Sequence, residues 1–253
     1  MRTTILLLAA LLVGNTSSRA AAQPAGPAGC PPERVEPVSS PASRAAVRAG
    51  RPFTVVAFGS SSTEGVGASA PDRTYPALLE ARLQKALPGE AIRVLNRGIG
   101  GQEVGEMVDR LDTDVLAEHP QLVVWQVGSN AALHGTDPET FRDRLVAGLQ
   151  RLRAAGVDVV IMDSQLSPAV MSRPLQPQIA ARLREAAAAA SVPVFSRTAL
   201  MRAWEADGVP PLDMLGPDGL HHNDRGYACL AEALAGAILD GLQAAAPVTA
   251  SKR

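Results

Sequence analysis

Residues Phe53 to Gly65 read FTVVAFGSSSTEG. The first seven are mostly apolar and β-prone and end in glycine, the pattern of a short strand buried on both faces. Three serines follow at once, and at most one of them can serve as a nucleophile. A strand that runs into a Gly/Ser loop and then a helix opens an alternating α/β chain, and the rest of the sequence keeps that alternation.

YPALLEARLQKALPG (75–89) puts Leu78, Leu79, Leu83 and Leu87 on one helical face and stops at Pro88-Gly89. A strand AIRVLN, a helix near 104–118, a strand QLVVWQV and a helix over 138–155 follow. Asp137 is the expected N-cap of that helix, Pro138 its first residue, and Gly156 its C-terminal stop. A fourth strand VDVVIMD, an Ala-rich helix from about Gln176, a short strand VPVF and a final helix from about Asp224 complete the order. Five strands alternating with helices predict an α/β fold, a three-layer α/β/α sandwich with a central five-stranded parallel sheet.

The ends of the chain read differently. Met1 to Ala22 has Arg2, an apolar run from Ile5 to Val13 and a small-residue Ala20-Ala21-Ala22 end, the layout of a secretory signal peptide and too short a run for a stable membrane span. The expected division is a signal peptide 1–22, a flexible Pro/Ala/Gly/Ser lead-in 23–51, one folded domain 52–243 and a tail 244–253, with export to the periplasm or medium. A net charge of -1 with interspersed signs excludes the basic footprint of a nucleic-acid binder. The two cysteines, Cys30 and Cys229, either pair in an oxidising compartment or stand as separate thiols; spacing does not decide. Pro27 stands where a bacterial lipobox usually has Leu, which argues against lipidation of Cys30.

Parallel α/β sheets carry their chemistry beyond the carboxyl ends of the strands. Ser60 to Ser62, NRGIGG (96–101), GSNAALHG (128–135) and DSQLSP (163–168) all follow strands. Each cluster alone suits an ordinary turn. A serine needs a positioned base, and there are four histidines. His119 sits at a helix end before Pro120, and His134 lies in the third strand's exit, within reach of a substrate. His221 and His222 precede the last helix, with Asp218 three residues before His221, so that one loop can carry carboxylate and imidazole together.

These blocks resemble, in order, the four signature blocks of the SGNH (GDSL-type) hydrolase superfamily, over about Phe53 to Gly241. GSSSTEG is similar to the family's Gly-Asp-Ser-x-Thr-x-Gly, which makes Ser61 the expected nucleophile and puts Ser60 in place of the usual Asp. NRGIGG resembles the second block and implies that the Gly101 amide donates to an oxyanion. GSN resembles the third, with Asn130 as a side-chain donor and Ala131 replacing an Asp. DGLH implies Asp218 as orienter and His221 as base, although His222 stands where the family often has Pro.

The resemblance implies a flavodoxin-like SGNH hydrolase fold and an esterase needing no cofactor and no metal. Its partner is a small-molecule, glycan or lipid ester; oligomeric state is not legible. A non-catalytic glycan- or acyl-ligand-binding envelope protein and an acyltransferase are the alternatives. GVGASA (65–70) imitates a dinucleotide fingerprint, but Pro71-Asp72 follows it and the second strand ends in Asn96 rather than an acid. Trp125 and Met162 are expected in the core; Met171 and Trp204 are candidates for an acyl pocket, with core packing favoured for Trp204.

Overall fold

The computed structural model describes residues 29–31 and 35–244. The signal-peptide reading of 1–22 and all of the tail after Ala244 lie outside the described residues. In chain order the elements are α1 (Pro41–Arg48), β1 (Phe53–Gly59), α2 (Ser61–Glu64), α3 (Tyr75–Ala86), β2 (Ile92–Gly98), α4 (Val104–Asp109) and α5 (Leu111–Asp114). They continue with β3 (Leu122–Gln126), α6 (Ser129–His134), α7 (Pro138–Ala154), β4 (Asp158–Met162) and α8 (Pro168–Met171). The last are α9 (Gln176–Ala189), β5 (Val194–Phe195), α10 (Arg197–Ala206) and α11 (Asp224–Gln243).

The five strands form one parallel sheet in the order β2-β1-β3-β4-β5. Because side chains alternate along a strand, the central strands feed two cores. Val55, Ala57, Val124 and Met162 pack with α3, α10 and α11, while Val56, Phe58, Trp125 and Ile161 pack with α4, α7 and α9. Trp125 and Met162 are fully buried, and so is Trp204 on α10, which settles its place in the core. No helix among the described residues is long and apolar enough to cross a membrane.

Two expectations need correction. The single helix expected near 104–118 is α4, α5 and a 3₁₀ turn at Leu116–Glu118. Thr113 Oγ1 bonds back to the Arg110 carbonyl at 3.1 Å, and such local side-chain bonds compete with a continuous helix. The lead-in expected to be flexible over 23–51 carries α1, with Val38 N donating to Ala237 O of α11 at 2.8 Å. Ser43 fastens α1 to the sheet through its amide and hydroxyl, 2.8 and 2.9 Å from Asp158 Oδ2. Cys30 and Cys229 are joined in a disulfide that ties the lead-in to α11. The expected N-cap is present: Asp137 Oδ1 accepts from Thr140 N at 2.8 Å.

Candidate active site

β1 ends at Gly59, and the three serines then part company. Ser60 and Ser62 are each 2% exposed, whereas Ser61, the first residue of α2, is half-buried with its hydroxyl at the sheet's carboxyl edge. Ser61 Oγ lies 2.8 Å from His221 Nε2. His221 Nδ1 lies 2.6 Å from Asp218 Oδ2. The chain therefore brings together three of the five expected site residues as a continuous hydrogen-bonded Ser-His-Asp line, with the carboxylate fixing the ring so that Nε2 faces the hydroxyl.

The loop carrying the histidine is held rigidly. Leu215 and His222 form an antiparallel bridge, Gly216 N donates to His221 O at 2.7 Å, and Asn223 caps α11 while its Nδ2 donates to Leu215 O at 2.9 Å. Asp218 Oδ1 accepts from the amides of Leu220 and His221 at 2.9 and 3.0 Å. Partial burial pushes the Asp218 carboxyl up, but the bonds from the His221 ring and these two amides outweigh it and hold the group below the usual carboxylate range.

His222 plays a different part from its neighbour. It is fully buried, donates from Nδ1 to Met214 O at 3.0 Å, and stacks edge-on against Tyr227. Burial, aided by the Arg197 charge, drives its pKa down to about 3, so it is neutral at physiological pH. Of the two histidines, His221 is the one that faces Ser61.

The other two expected residues, Gly101 and Asn130, lie on adjoining strand exits. Asn130, 8% exposed at the start of α6, donates from Nδ2 to the Gln102 carbonyl at 2.8 Å, which keeps the second-strand exit beside the third. The Gly101 amide has no acceptor among the described residues, and Ser61 N, at the first turn of α2, has no intrahelical partner. The same loop approaches the serine closely: a Cβ on Gly100 would lie 3.9 Å from Ser61 Cβ, and one on Gly98 would be 2.0 Å from the Glu64 amide nitrogen. Only glycine fits at 98. Gly67 of the GVGASA stretch likewise packs against the His222 carbonyl, and only a single 3₁₀ turn at Pro71–Arg73 follows it, so the stretch packs against the histidine loop.

Three supporting residues carry no role in the sequence motifs, although Gln165 lies within DSQLSP (163–168). Gln126, at the end of β3 and 1% exposed, accepts at Oε1 from Ser60 N (2.9 Å), Ser60 Oγ (3.1 Å) and Thr63 Oγ1 (3.2 Å). Gln165, also 1% exposed, accepts from Ser129 Oγ at 3.0 Å and donates to Leu220 O at 2.9 Å, bridging α6 to the histidine loop. Arg110 donates to the carbonyls of Gly59 and Arg97 at 3.1 and 3.0 Å and to Gln102 Oε1 at 2.7 Å, over the Phe58 ring. Their sequence signals are slight: a glutamine at the end of an apolar strand, another in a strand-exit loop, and an arginine at a helix end.

Such an arrangement, a parallel sheet presenting Ser61, His221 and Asp218 at its carboxyl edge with a glycine loop and an asparagine beside them, defines the SGNH (GDSL-like) class of α/β hydrolase folds. The chain belongs to the non-GDSL lipase-like family, whose model matches residues 27–244. The family's name suits the serine that here replaces the Asp of the first block. Among relatives, it is 32% identical over 115 residues to Esterase TesA of Pseudomonas aeruginosa, covering 46% of this chain and 56% of that one. It is 29% identical over 98 residues to an arylesterase of Vibrio mimicus, covering 38% and 48%. The chain spans about half the length of the curated relatives it matches. Its fold is similar to the crystal structure of TesA, with a TM-score of 0.63, 25% identity, and 75% of this chain and 99% of that one covered. It is also similar to the acetyl xylan esterase AlAXEase, with a TM-score of 0.62, 22% identity, and 74% and 100% covered.

Proposed function

We propose that this protein is an exported serine esterase that hydrolyses carboxylic esters through an acyl-enzyme on Ser61. The observation that carries the reading is the Ser61 Oγ–His221 Nε2–Asp218 line, at 2.8 and 2.6 Å. Ser61 Oγ attacks the ester carbonyl carbon while His221 Nε2 takes its proton; the C–O bond to the alcohol then breaks and His221 returns that proton to the departing oxygen. A water molecule, deprotonated by His221, attacks the acyl carbon, and the acid leaves as Ser61 regains its proton. Asp218 stays ionised throughout and stabilises the imidazolium.

Negative charge on the carbonyl oxygen is met by the Ser61 amide, the Gly101 amide and the second Nδ2 hydrogen of Asn130. Each such donor is typically worth about 10²–10³ in rate. Ser60 in place of an Asp is compatible with this chemistry, because its amide and hydroxyl are both satisfied by Gln126 and no triad member depends on it. The names of the esterase relatives support the same activity.

Export rests on the layout of residues 1–22 and on the Cys30–Cys229 disulfide, since such bonds persist in oxidising compartments. That bond also occupies the Cys30 sulfur that lipidation would need.

The test is hydrolysis of p-nitrophenyl acetate and butyrate together with labelling by a fluorophosphonate. Activity and labelling in the wild type, both abolished in a folded Ser61→Ala variant but retained in Ser62→Ala, are expected. A wild-type protein that neither turns over an ester nor labels is a binding protein instead.

A further inference from the structure

His134 and Glu103 form a second imidazole–carboxylate pair that the hydrolytic line does not use. His134 Nδ1 lies 2.7 Å from Glu103 Oε1, and Thr136 Oγ1 donates to the other carboxylate oxygen, so the acid is held from both sides. Both residues belong to the oxyanion side of the site. His134 is four residues after Asn130 on α6 and hence on the same helical face one turn along, and Glu103 follows directly on Gln102, whose carbonyl holds Asn130. A carboxylate accepting from Nδ1–H selects the tautomer whose Nε2 lone pair faces outward; that atom has no partner among the described residues, and the side chain is 54% exposed.

The charge around it narrows what can dock. The exit segments 60–70, 98–106, 127–137 and 215–223 hold Glu64, Glu103, Glu106, Asp137 and Asp218 and not one Lys or Arg. Three of the guanidiniums that flank these segments are engaged elsewhere: Arg97 pairs with Glu118, Arg225 donates to Gly29 O, and Arg110 is turned inward onto the Gly59 and Arg97 carbonyls. A phosphate- or carboxylate-bearing ester meets a repulsive field there, whereas a neutral ester does not. We propose that His134, fixed by Glu103, is a specificity-determining residue whose Nε2 accepts a hydrogen bond from a substrate hydroxyl, so that the preferred substrates are neutral esters of polyols or sugars. This rests on the esterase reading above.

Three acetate esters of one carbon skeleton test it: glycerol monoacetate, propyl acetate and acetylated glycerol 3-phosphate. The wild type should favour glycerol monoacetate over propyl acetate by about 5–10-fold in kcat/KM, the worth of one hydrogen bond, with the anionic ester slowest. His134→Leu should erase that preference through KM while leaving propyl acetate unchanged, and His134→Gln, which keeps an acceptor, should restore part of it. In Ser61→Ala, glycerol monoacetate should shift the His134 Nε2 resonance in a ¹⁵N spectrum, with no turnover required. An equal loss on both neutral esters in His134→Leu, a preference for the anionic ester, or an unshifted Nε2 resonance overturns the proposal. If p-nitrophenyl acetate is hydrolysed all the same, the esterase reading survives that failure; if no ester is hydrolysed, the esterase reading itself falls.

Discussion

Ser60 gives both its backbone N–H and its hydroxyl to a single atom, Oε1 of Gln126, at 2.9 and 3.1 Å. The residue before Ser61 is therefore tied to the end of the neighbouring strand, and the same oxygen also takes the Thr63 hydroxyl. Three donors on one buried acceptor make the acceptor more important than any one donor. Ser60→Ala should lower stability by about 1 kcal/mol and ester turnover by less than about 10-fold. Gln126→Leu, which strands the Ser60 amide and hydroxyl and leaves Thr63 Oγ1 only the Tyr75 hydroxyl, should cost about 2–4 kcal/mol and reduce kcat more than Ser60→Ala does. Urea titrations beside initial rates measure both; a larger loss in Ser60→Ala than in Gln126→Leu would contradict the arrangement.

Asp218 can be tested without disturbing its loop. In Asp218→Asn one side-chain oxygen can still accept from the Leu220 and His221 amides, but the group facing His221 Nδ1 is now free to be NH₂, which favours the wrong tautomer for taking the Ser61 proton. The expected result is a fall in kcat on the order of 10²–10⁴ with little change in thermal midpoint. Turnover within a few-fold of wild type would remove Asp218 from the mechanism.

Arg110 fastens two strand ends to the glycine loop, reaching Gly59 O, Arg97 O and Gln102 Oε1 with one guanidinium. A lysine keeps the charge and loses the planar fan of donors, so it cannot make the three contacts together. Arg110→Lys should reduce kcat about 10-fold through a looser glycine loop while retaining fluorophosphonate labelling. Unchanged kcat in Arg110→Lys would show that the loop is held by Asn130 alone.

Much of the fold and of the site is legible in the sequence, for identifiable reasons. β1, β3 and β4 are continuous apolar runs because both faces of a parallel sheet are covered, so strand after strand shows the same short apolar block. Ser61, Asp218 and His221 are legible because their motifs keep fixed spacings within short loops. Gln126, Gln165 and Arg110 are not, because each acts on partners as far as 66 residues away along the chain, and single polar side chains carry no periodicity. α1 escapes for a related reason: only two turns long, in an Ala/Arg/Pro/Ser stretch of low hydrophobicity, it is held by Ser43, Val38 and the disulfide, none of which is a local signal.

The disulfide links residues 199 apart in sequence, and the Gly29 carbonyl beside it accepts from Arg225 Nε at 3.0 Å. Joining such distant points restricts the unfolded chain, an effect commonly worth about 2–5 kcal/mol in native disulfides. Cys30→Ala with Cys229→Ala should lose stability of that order and keep kcat within about 2-fold, because the histidine loop is closed by its own bridge at Leu215 and His222. Thermal unfolding with and without reductant should reproduce the shift in the wild type and show none in the double variant.

His222 makes the protein's stability depend on acid in a definite direction. Folded, its pKa lies at about 3, while in the unfolded chain it returns to the model-peptide value of about 6.5. Between those values the unfolded state holds a proton that the folded state refuses, so stability is complete above about pH 6.5 and is lost progressively as pH falls towards 3. One such proton corresponds to a slope of about 1.4 kcal/mol per pH unit at most. His222→Asn offers an amide to the Met214 carbonyl but does not titrate; it should be less stable than wild type at pH 7.5, because it leaves space beside Tyr227, yet lose less stability on going from pH 7 to pH 4. Denaturant titrations of both proteins at half-unit pH steps measure the two slopes. Parallel acid limbs would mean that His222 is not the group that resists protonation, and a steeper limb in the variant would reverse the sign argued here.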